Sequence, residues 1–401
     1  MRILHTSDWH LGRGMSGHDL TDAQEAATSF IVKEAIARKV DVLIIAGDVY
    51  DLQRPAVEDI LHLREVMTQL HRAGVKLIIT AGNHDSGPRL AANSNLLTDG
   101  VFIRGLIAES GSPIEMSDEH GPVVFYPLAY LEPNEARIAL ADSIDEPLDR
   151  SHEAVMTKAM ERVKSDLSKR PKETRSVAIA HAFVIKTGTP PEDVEAERST
   201  SERDLSIGGI QTISSKVFEG IDYVALGHLH GPKEVEATEN TTIRYSGSII
   251  KYSLSEAKHT KSFVIIDLPA KPDLCQIQLV EIPQIRGMHR LEDTLDNFLS
   301  NKYEQYNEDY VEIILTNDIR EADAFARLSH KFPRIINWGY KTRANTNKVN
   351  RKSMTEFKDA APSDVIARFY QESTGKEPSE KLLGLIQELS EKAQNQIDGR
   401  P

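Results

Sequence analysis

Apolar residues in the first hundred positions fall into two kinds of segment. Compact runs at Ile3-Leu4-His5-Thr6, Val42-Leu43-Ile44-Ile45-Ala46 and Lys76-Leu77-Ile78-Ile79-Thr80 have the length and content of buried strands. Between them, Ala23 to Lys39 and Val57 to Ala73 repeat apolar residues every three or four positions, the spacing of an amphipathic helix. This alternation predicts βαβ units and a largely parallel sheet. Further strands are expected at Val101 to Ile107, Val123 to Tyr126, Val177 to Ala180, Tyr223 to Leu226, Ile243 to Ser246 and Phe263 to Leu268. So many strands call for two packed sheets with flanking helices. Thr187 to Ser206 is polar and proline-bearing, and reads as a long surface loop.

A boundary is expected near Pro269-Ala270-Lys271-Pro272. Beyond it a strand (Leu274 to Ile282), a helix, a strand (Tyr310 to Thr316), a helix (Ala322 to His330) and a strand (Arg334 to Gly339) outline a small α+β domain. The expected domains are therefore 1–270, 271–343 and 344–401. Gly339 to Ser353 holds Lys341, Arg343, Lys348, Arg351 and Lys352 and no acid. Two short amphipathic helices follow, one with Val365, Ile366, Phe369 and Tyr370, the other with Leu382, Leu385, Ile386 and Leu389. Pro362-Ser363-Asp364 and Pro378-Ser379-Glu380 supply their starts and Gly375 a stop between them.

Composition narrows the class. The 401 residues suffice for two or three domains, with 40% hydrophobic and 27% charged residues, the balance of a soluble globular protein. No stretch reaches the ~18 consecutive apolar residues of a membrane span. Met1 to Ser7 lacks the features of a secretory signal, so a cytoplasmic location is expected. A single cysteine, Cys275, excludes an intrachain disulfide and a cysteine zinc site. The net charge of −13 argues against coating nucleic acid by bulk charge, although it leaves room for a local basic groove.

The chemistry-bearing residues sit where strands end. The first strand runs into Asp8-Trp9-His10, the second into Gly47-Asp48, the third into Gly82-Asn83-His84-Asp85. Later strands deliver His181 and Gly227-His228-Leu229-His230. Ligands of α/β sheets bind at the carboxyl ends of strands, so these loops converge on one crevice. Asp8, His10, Asp48, Asn83, His181, His228 and His230 are more donors than one ion takes while keeping open positions. They suit two divalent ions ~3.5–4 Å apart, which clamp the attacking and leaving oxygens of an in-line phosphoryl displacement. Asp48, on the middle of the three strands, is the natural bridge. Imidazole with hard oxygen ligands and no thiolate suits manganese, iron or zinc better than calcium or magnesium alone. Manganese is the ion expected, with Mg2+, Fe2+ or Zn2+ as alternatives. Taken singly, D-x-H, G-D and N-H-D are ordinary turns and caps; their ordered combination after strand signals carries the inference. The other nine histidines (His5, His18, His62, His71, His120, His152, His259, His289, His330) lack that context.

The ordered run D-x-H, G-D, G-N-H-D, H, G-H-x-H resembles the calcineurin-like binuclear metallophosphoesterase superfamily. Asp8-Trp9-His10-Leu11-Gly12, Ala46-Gly47-Asp48-Val49-Tyr50-Asp51, Ala81-Gly82-Asn83-His84-Asp85-Ser86, Ala225 to His230 and Tyr245-Ser246-Gly247-Ser248 are similar to its bacterial SbcD-type nuclease branch. The resemblance covers roughly residues 1–270 by specific motifs, and the remainder by length and element order. It implies a four-layer α-β-β-α sandwich, a small α+β capping domain and C-terminal partner-binding helices. It also implies that Asp8, His10, Asp48 and His230 hold one ion and Asp48, Asn83, His181 and His228 the other. His84 would be the catalytic histidine, giving a proton or hydrogen bond to the scissile phosphate or leaving oxygen. Asp85 reads either as its orienting group or as a loop cap, and the role of Asp51 stays open.

Fold alone does not choose a substrate. The branch implies a 3′–5′ exonuclease on double strands and an endonuclease on single strands and hairpins, serving DNA repair, replication and recombination at the nucleoid. It also implies a homodimer joined to two SbcC-like coiled-coil ATPases, with the C-terminal helices at the coiled-coil base. No G-x-x-x-x-G-K-[ST] occurs, so ATP dependence would come from that partner. Lys341, Arg343, Lys348, Arg351 and Lys352 are candidate contacts to DNA or partner, or a solvated loop. A small-molecule phosphodiesterase or phosphatase, and a non-catalytic DNA-end scaffold, are the competing readings.

Overall fold

Strands covered on both faces need near-continuous apolar runs, and the compact runs in the sequence come close to that need. The computed structural model describes residues 1–97, 99–189, 212–236, 240–341, 362–374 and 377–397. They fall into two compact units, Met1–Gly339 and Tyr340–Pro401.

In chain order the first unit carries β1 (Arg2–Thr6), β2 (Val42–Ala46), β3 (Lys76–Thr80), β4 (Val101–Arg104), β5 (Ile114–Asp118), β6 (Gly121–Pro127) and β7 (Arg175–His181). A short pair, β8 (Val184–Ile185) and β9 (Ile213–Ser214), precedes β10 (Tyr223–Gly227), β11 (Lys233–Val235), β12 (Thr242–Tyr245), β13 (Ser262–Asp267) and β14 (Gln276–Glu281). One sheet has the order β14-β13-β1-β2-β3-β4 and the other β11-β12-β10-β7-β6-β5. Strands β1 to β4 are mutually parallel, as are β6, β7, β10 and β12.

Four layers result. Helices α1 (Thr21–Ala37) and α2 (Val57–Arg72) cover the outer face of the first sheet, packing Ala27, Ile31, Leu63 and Leu70 on Leu4, Leu43, Ile45 and Leu77. Ile3, Val42, Ile44 and Ile78 of its inner face meet Phe125, Val177, Ile179 and Ala225 of the second sheet. Val124, Ala178, Val224 and Leu226 on the far side of that sheet are covered by Val155, Met156, Ala159 and Val163. Each of the Val, Leu, Ile, Phe and Met side chains among these contributes about 1.5–3 kcal/mol when fully buried, so the sandwich interior anchors the strand ends that carry the polar residues. The covering helix, His152–Leu167, is a finding of the structure. Its apolar spacing is present in the sequence, and the Ser151 hydroxyl caps it by accepting the Ala154 N–H at 3.1 Å.

Two boundaries differ from expectation. The strand expected over Val101 to Ile107 ends at Arg104, because Gly105 packs against the Gly87 backbone and a 3-10 turn follows at Ile107–Glu109. The strand expected to open the small domain, β14, instead pairs antiparallel with β13 at the edge of the first sheet. Pro269 to Pro272 is therefore a turn within that sheet. A separate three-stranded sheet begins at Met288, with β15 (Met288–Asp293), β16 (Tyr310–Leu315) and β17 (Ile335–Tyr340) in sequence order. It touches the loop after β1, where the His18 ring nitrogen Nε2 lies 3.1 Å from the Ile335 carbonyl oxygen.

The second unit contains helices Pro362–Thr374 and Glu380–Ile397. Among described residues, no helix is long and apolar enough to cross a membrane. Lys341 is exposed; Arg343, Lys348, Arg351 and Lys352 lie outside the described residues, as does most of the polar loop expected between Thr187 and Ser206.

Candidate metal centre

The loops after β1 and β2 stay paired beyond the sheet. The Asp8 N–H donates to the Gly47 carbonyl at 3.1 Å, the His10 N–H to Asp48 at 3.0 Å and the Leu11 N–H to Val49 at 2.9 Å. This pairing sets Asp8, His10 and Asp48 in register. The turns are tight: Asp8, His10, Asp48 and His228 have φ of 52°, 44°, 50° and 103°, a region L-residues rarely occupy. Such strain persists only where surrounding structure over-determines it, and it gathers at functional sites. Two glycines permit the convergence. A Cβ on Gly82 would overlap the Asp48 carboxylate and backbone nitrogen, and one on Gly227 the Ala46 carbonyl oxygen.

All seven predicted donors meet here. His10 Nε2 lies 3.2 Å from His230 Nε2 and 3.6 Å from Asp48 Oδ2. His181 Nε2 lies 2.9 Å from Asn83 Oδ1 and 3.2 Å from Asp48 Oδ2. His228 Nδ1 stands 3.2 Å from Asn83 Oδ1, and its backbone N–H donates to Asp8 Oδ1 at 3.1 Å. Three groups offer closely spaced ligand atoms: Asp8, His10 and His230; Asp8, Asp48 and His181; and His10, Asp48 and His84. Asp8, His10 and Asp48 each belong to two of them. Asp8, His10, Asp48, His181 and His230 are buried, whereas Asn83, His84 and His228 are half-buried and form the side open to solvent.

The donor chemistry fits cations. His10 Nδ1 lies 3.4 Å from the Asp51 carboxylate, and the His230 Nδ1 lies 3.2 Å from that of Glu256. A proton on His230 Nδ1 satisfies Glu256, and one on His10 Nδ1 faces Asp51 without a hydrogen bond; with protons there, the two Nε2 lone pairs face each other beside Asp8. Positive charge between them resolves the repulsion. At the other end, both His181 nitrogens face acceptors, Nδ1 the Ala46 carbonyl at 2.9 Å and Nε2 the Asn83 and Asp48 oxygens. His181 there carries both protons, and a divalent cation on Asp48 would take the place of one.

The electrostatics agree. Burial pushes Asp8 up to about 6, with the Asp48 charge adding to it. Burial would also raise Asp48, but His181, His10 and His84 overcome it and hold that carboxyl well below the usual range. Burial alone would lower His181; Asp48 outweighs it and brings His181 to about 9. Burial takes His10 down to about 3, leaving it neutral.

The open alternatives for Asp85 resolve toward the loop cap. Its carboxylate accepts the N–H groups of Gly82 (2.9 Å), Tyr50 (3.0 Å) and Val49 (3.1 Å), tying the β2 loop to the β3 loop. The group next to His84 is Asp51: its carbonyl stands 2.9 Å from His84 Nδ1 and its carboxylate 3.8 Å. The Asp51 carboxylate also lies 3.5 Å from the Arg13 guanidinium. Sequence reasoning missed Glu256, Lys261 and Tyr252. Glu256 and Lys261 are buried behind His230, while the Tyr252 hydroxyl donates to the Trp9 carbonyl. Nothing in Tyr252-Ser253-Leu254-Ser255-Glu256-Ala257-Lys258-His259-Thr260-Lys261 separates them from surface residues.

The family model for calcineurin-like phosphoesterases matches residues 1–232. Similar solved structures include TT1561 of Thermus thermophilus, at 14% identity over 70% of this chain and 99% of that one, with a TM-score of 0.39. A dimetal phosphatase from Danio rerio is similar at 13% identity over 71% and 97%, with a TM-score of 0.41. GAP50, the anchor in the inner membrane complex of Plasmodium, is similar at 11% identity over 71% and 86%, with a TM-score of 0.40.

Proposed function

The chain belongs to the calcineurin-like phosphoesterase family, whose chemistry is metal-dependent phosphoester hydrolysis, and from this premise we propose that it is a manganese-dependent DNA nuclease of the SbcD type. The observation that carries the DNA reading is the set of whole motifs around the site, Asp8 to Gly12, Ala46 to Asp51, Ala81 to Ser86 and Ala225 to His230.

In this reading Asp8, His10, Asp48 and His230 hold one ion and Asp48, Asn83, His181 and His228 the other. Bound divalent cations supply Lewis acidity toward a phosphate and lower the pKa of water. The remaining work belongs to the chain. His84 Nδ1 faces a backbone carbonyl, which can only accept, so that nitrogen carries a proton and Nε2 is the atom that exchanges one with substrate. As the bond from phosphorus to the leaving oxygen breaks, His84 Nε2 gives its proton to that oxygen, while the Asp51 carbonyl and carboxylate beside Nδ1 orient the ring. The Asp48 Oδ1 accepts the His84 N–H at 2.9 Å, which fixes this histidine relative to the bridging carboxylate.

We assign partner binding to helices Pro362–Thr374 and Glu380–Ile397. Ile366, Phe369, Leu385 and Leu389 are 47%, 71%, 50% and 56% exposed, an apolar face suited to the base of a coiled-coil ATPase.

The test uses the purified full chain with Mn2+ on linear duplex DNA, a 3′,5′-cyclic nucleotide and nitrophenyl phosphate. DNA ends are expected to be degraded, and His84→Ala to lower the rate by about 10²–10⁴-fold while metal content is kept. Turnover of the small substrates with intact DNA overturns the nuclease reading in favour of a small-molecule phosphodiesterase. Tight binding of DNA ends without cleavage under any divalent metal leaves only a scaffold.

A further inference from the structure

Behind His230 lies an ion pair with no access to water. Glu256 and Lys261 are 0% and 1% exposed, and the Lys261 ammonium donates to Glu256 Oε2 at 2.6 Å. Its other two protons go to Ser248 Oγ at 2.7 Å and the His230 carbonyl at 2.8 Å, so every donor of the ammonium is used. Glu256 is equally committed: Oε2 also accepts the Tyr252 N–H at 3.3 Å, and Oε1 accepts the Ser253 hydroxyl at 3.1 Å. Oε1 stands 3.2 Å from His230 Nδ1. A buried ion pair is often no more stabilising than apolar residues of the same volume, so stability alone does not explain one here.

We infer that Glu256, kept ionised by Lys261, is the positioning residue that fixes the tautomer and orientation of His230 for metal binding. An ionised carboxylate has no proton to give, so the His230 proton must sit on Nδ1. That leaves the Nε2 lone pair on the side facing His10 and Asp8. Lys261 holds the same residue through its backbone carbonyl, so His230 is gripped at ring and main chain together. Partners of this kind raise ligand basicity and remove the cost of ordering the ring when the ion arrives. The inference rests on the reading of His230 as a metal ligand, made above.

The experiment is a Mn2+ titration of the full chain followed by electron paramagnetic resonance of the free ion, with thermal melting in parallel. The unsubstituted chain is expected to bind two Mn2+. Glu256→Gln is expected to weaken one of the two sites by about 10–100-fold and to leave the other unchanged. Because this substitution strands a buried ammonium, the double variant Glu256→Gln/Lys261→Met, which removes both charges, decides the matter if the single variant does not fold. It is expected to show the same loss at one site, with hydrolysis recovered at high Mn2+, so that the metal requirement moves and kcat does not. A folded double variant with both sites at full affinity overturns the positioning role. No Mn2+ bound by the unsubstituted chain overturns the metal reading beneath it.

Discussion

The two sheets meet closely at Gly227, and adding one methyl group there isolates positioning from ligand chemistry. In Gly227→Ala every candidate donor is retained. The new Cβ, however, would overlap the Ala46 carbonyl oxygen and crowd Ser7 Cβ and His181 Nδ1. Ala46 is main chain in the middle of the first sheet and cannot swing aside, so the β2 and β10 ends must part by on the order of 1 Å. A displacement of that size at reacting groups costs about 10²-fold in rate, which is about 2.7 kcal/mol of activation free energy. Overpacking adds a stability cost of about 1–3 kcal/mol. The displaced segments carry His228 on one side and Asp48 on the other, and the His181 bond to the Ala46 carbonyl spans the gap. The assay is kcat/KM for phosphodiester hydrolysis at saturating Mn2+, with urea denaturation to measure stability separately. Gly384→Ala is the control, since a Cβ there meets nothing within 4 Å and lies in a helix that alanine favours. A Gly227→Ala protein with unchanged kcat/KM would refute the claim that this sheet contact sets the geometry of the site.

Two other outcomes follow from the same structure. Asp85→Ala leaves the buried N–H groups of Gly82, Tyr50 and Val49 without their acceptor; at about 1–3 kcal/mol for each unmet donor, a loss of about 3 kcal/mol or more is expected in chemical denaturation. Burial would raise the Asp118 carboxyl, but Arg175 and the Met1 ammonium outweigh it and hold that carboxyl below its usual range. A carboxyl lowered by folding contributes stability above its unfolded pKa and loses it as pH falls. Asp118→Asn is therefore expected to cost about 3–5 kcal/mol at pH 7, with the gap to the unsubstituted chain narrowing below about pH 4 in denaturation series.

Much of the architecture could be read from local pattern alone. Val42 to Ala46 and Leu77 to Ile79 are apolar throughout because both their faces are covered, and that need shows without knowledge of what covers them. Asp8, Asp48, Asn83 and His228 were legible for a related reason: each follows directly on such a run, where a parallel sheet exposes its strand ends. Contacts between distant segments left no such mark. Strand β14 looked like the start of a new domain, since only its pairing with β13 ties it to the first sheet. Glu256 and Lys261 have the composition of a surface turn. Their burial follows from the path of the chain between β12 and β13, which brings them beneath His230. Asp51 had no assignable role until folding set it beside His10, Arg13 and His84. Residue type and spacing thus announce which groups can do chemistry, because these are local properties of the chain. Which neighbours hold a proton on a given nitrogen, or bar a methyl group from a crowded turn, depends on segments that are not adjacent in sequence and arises only when the chain packs.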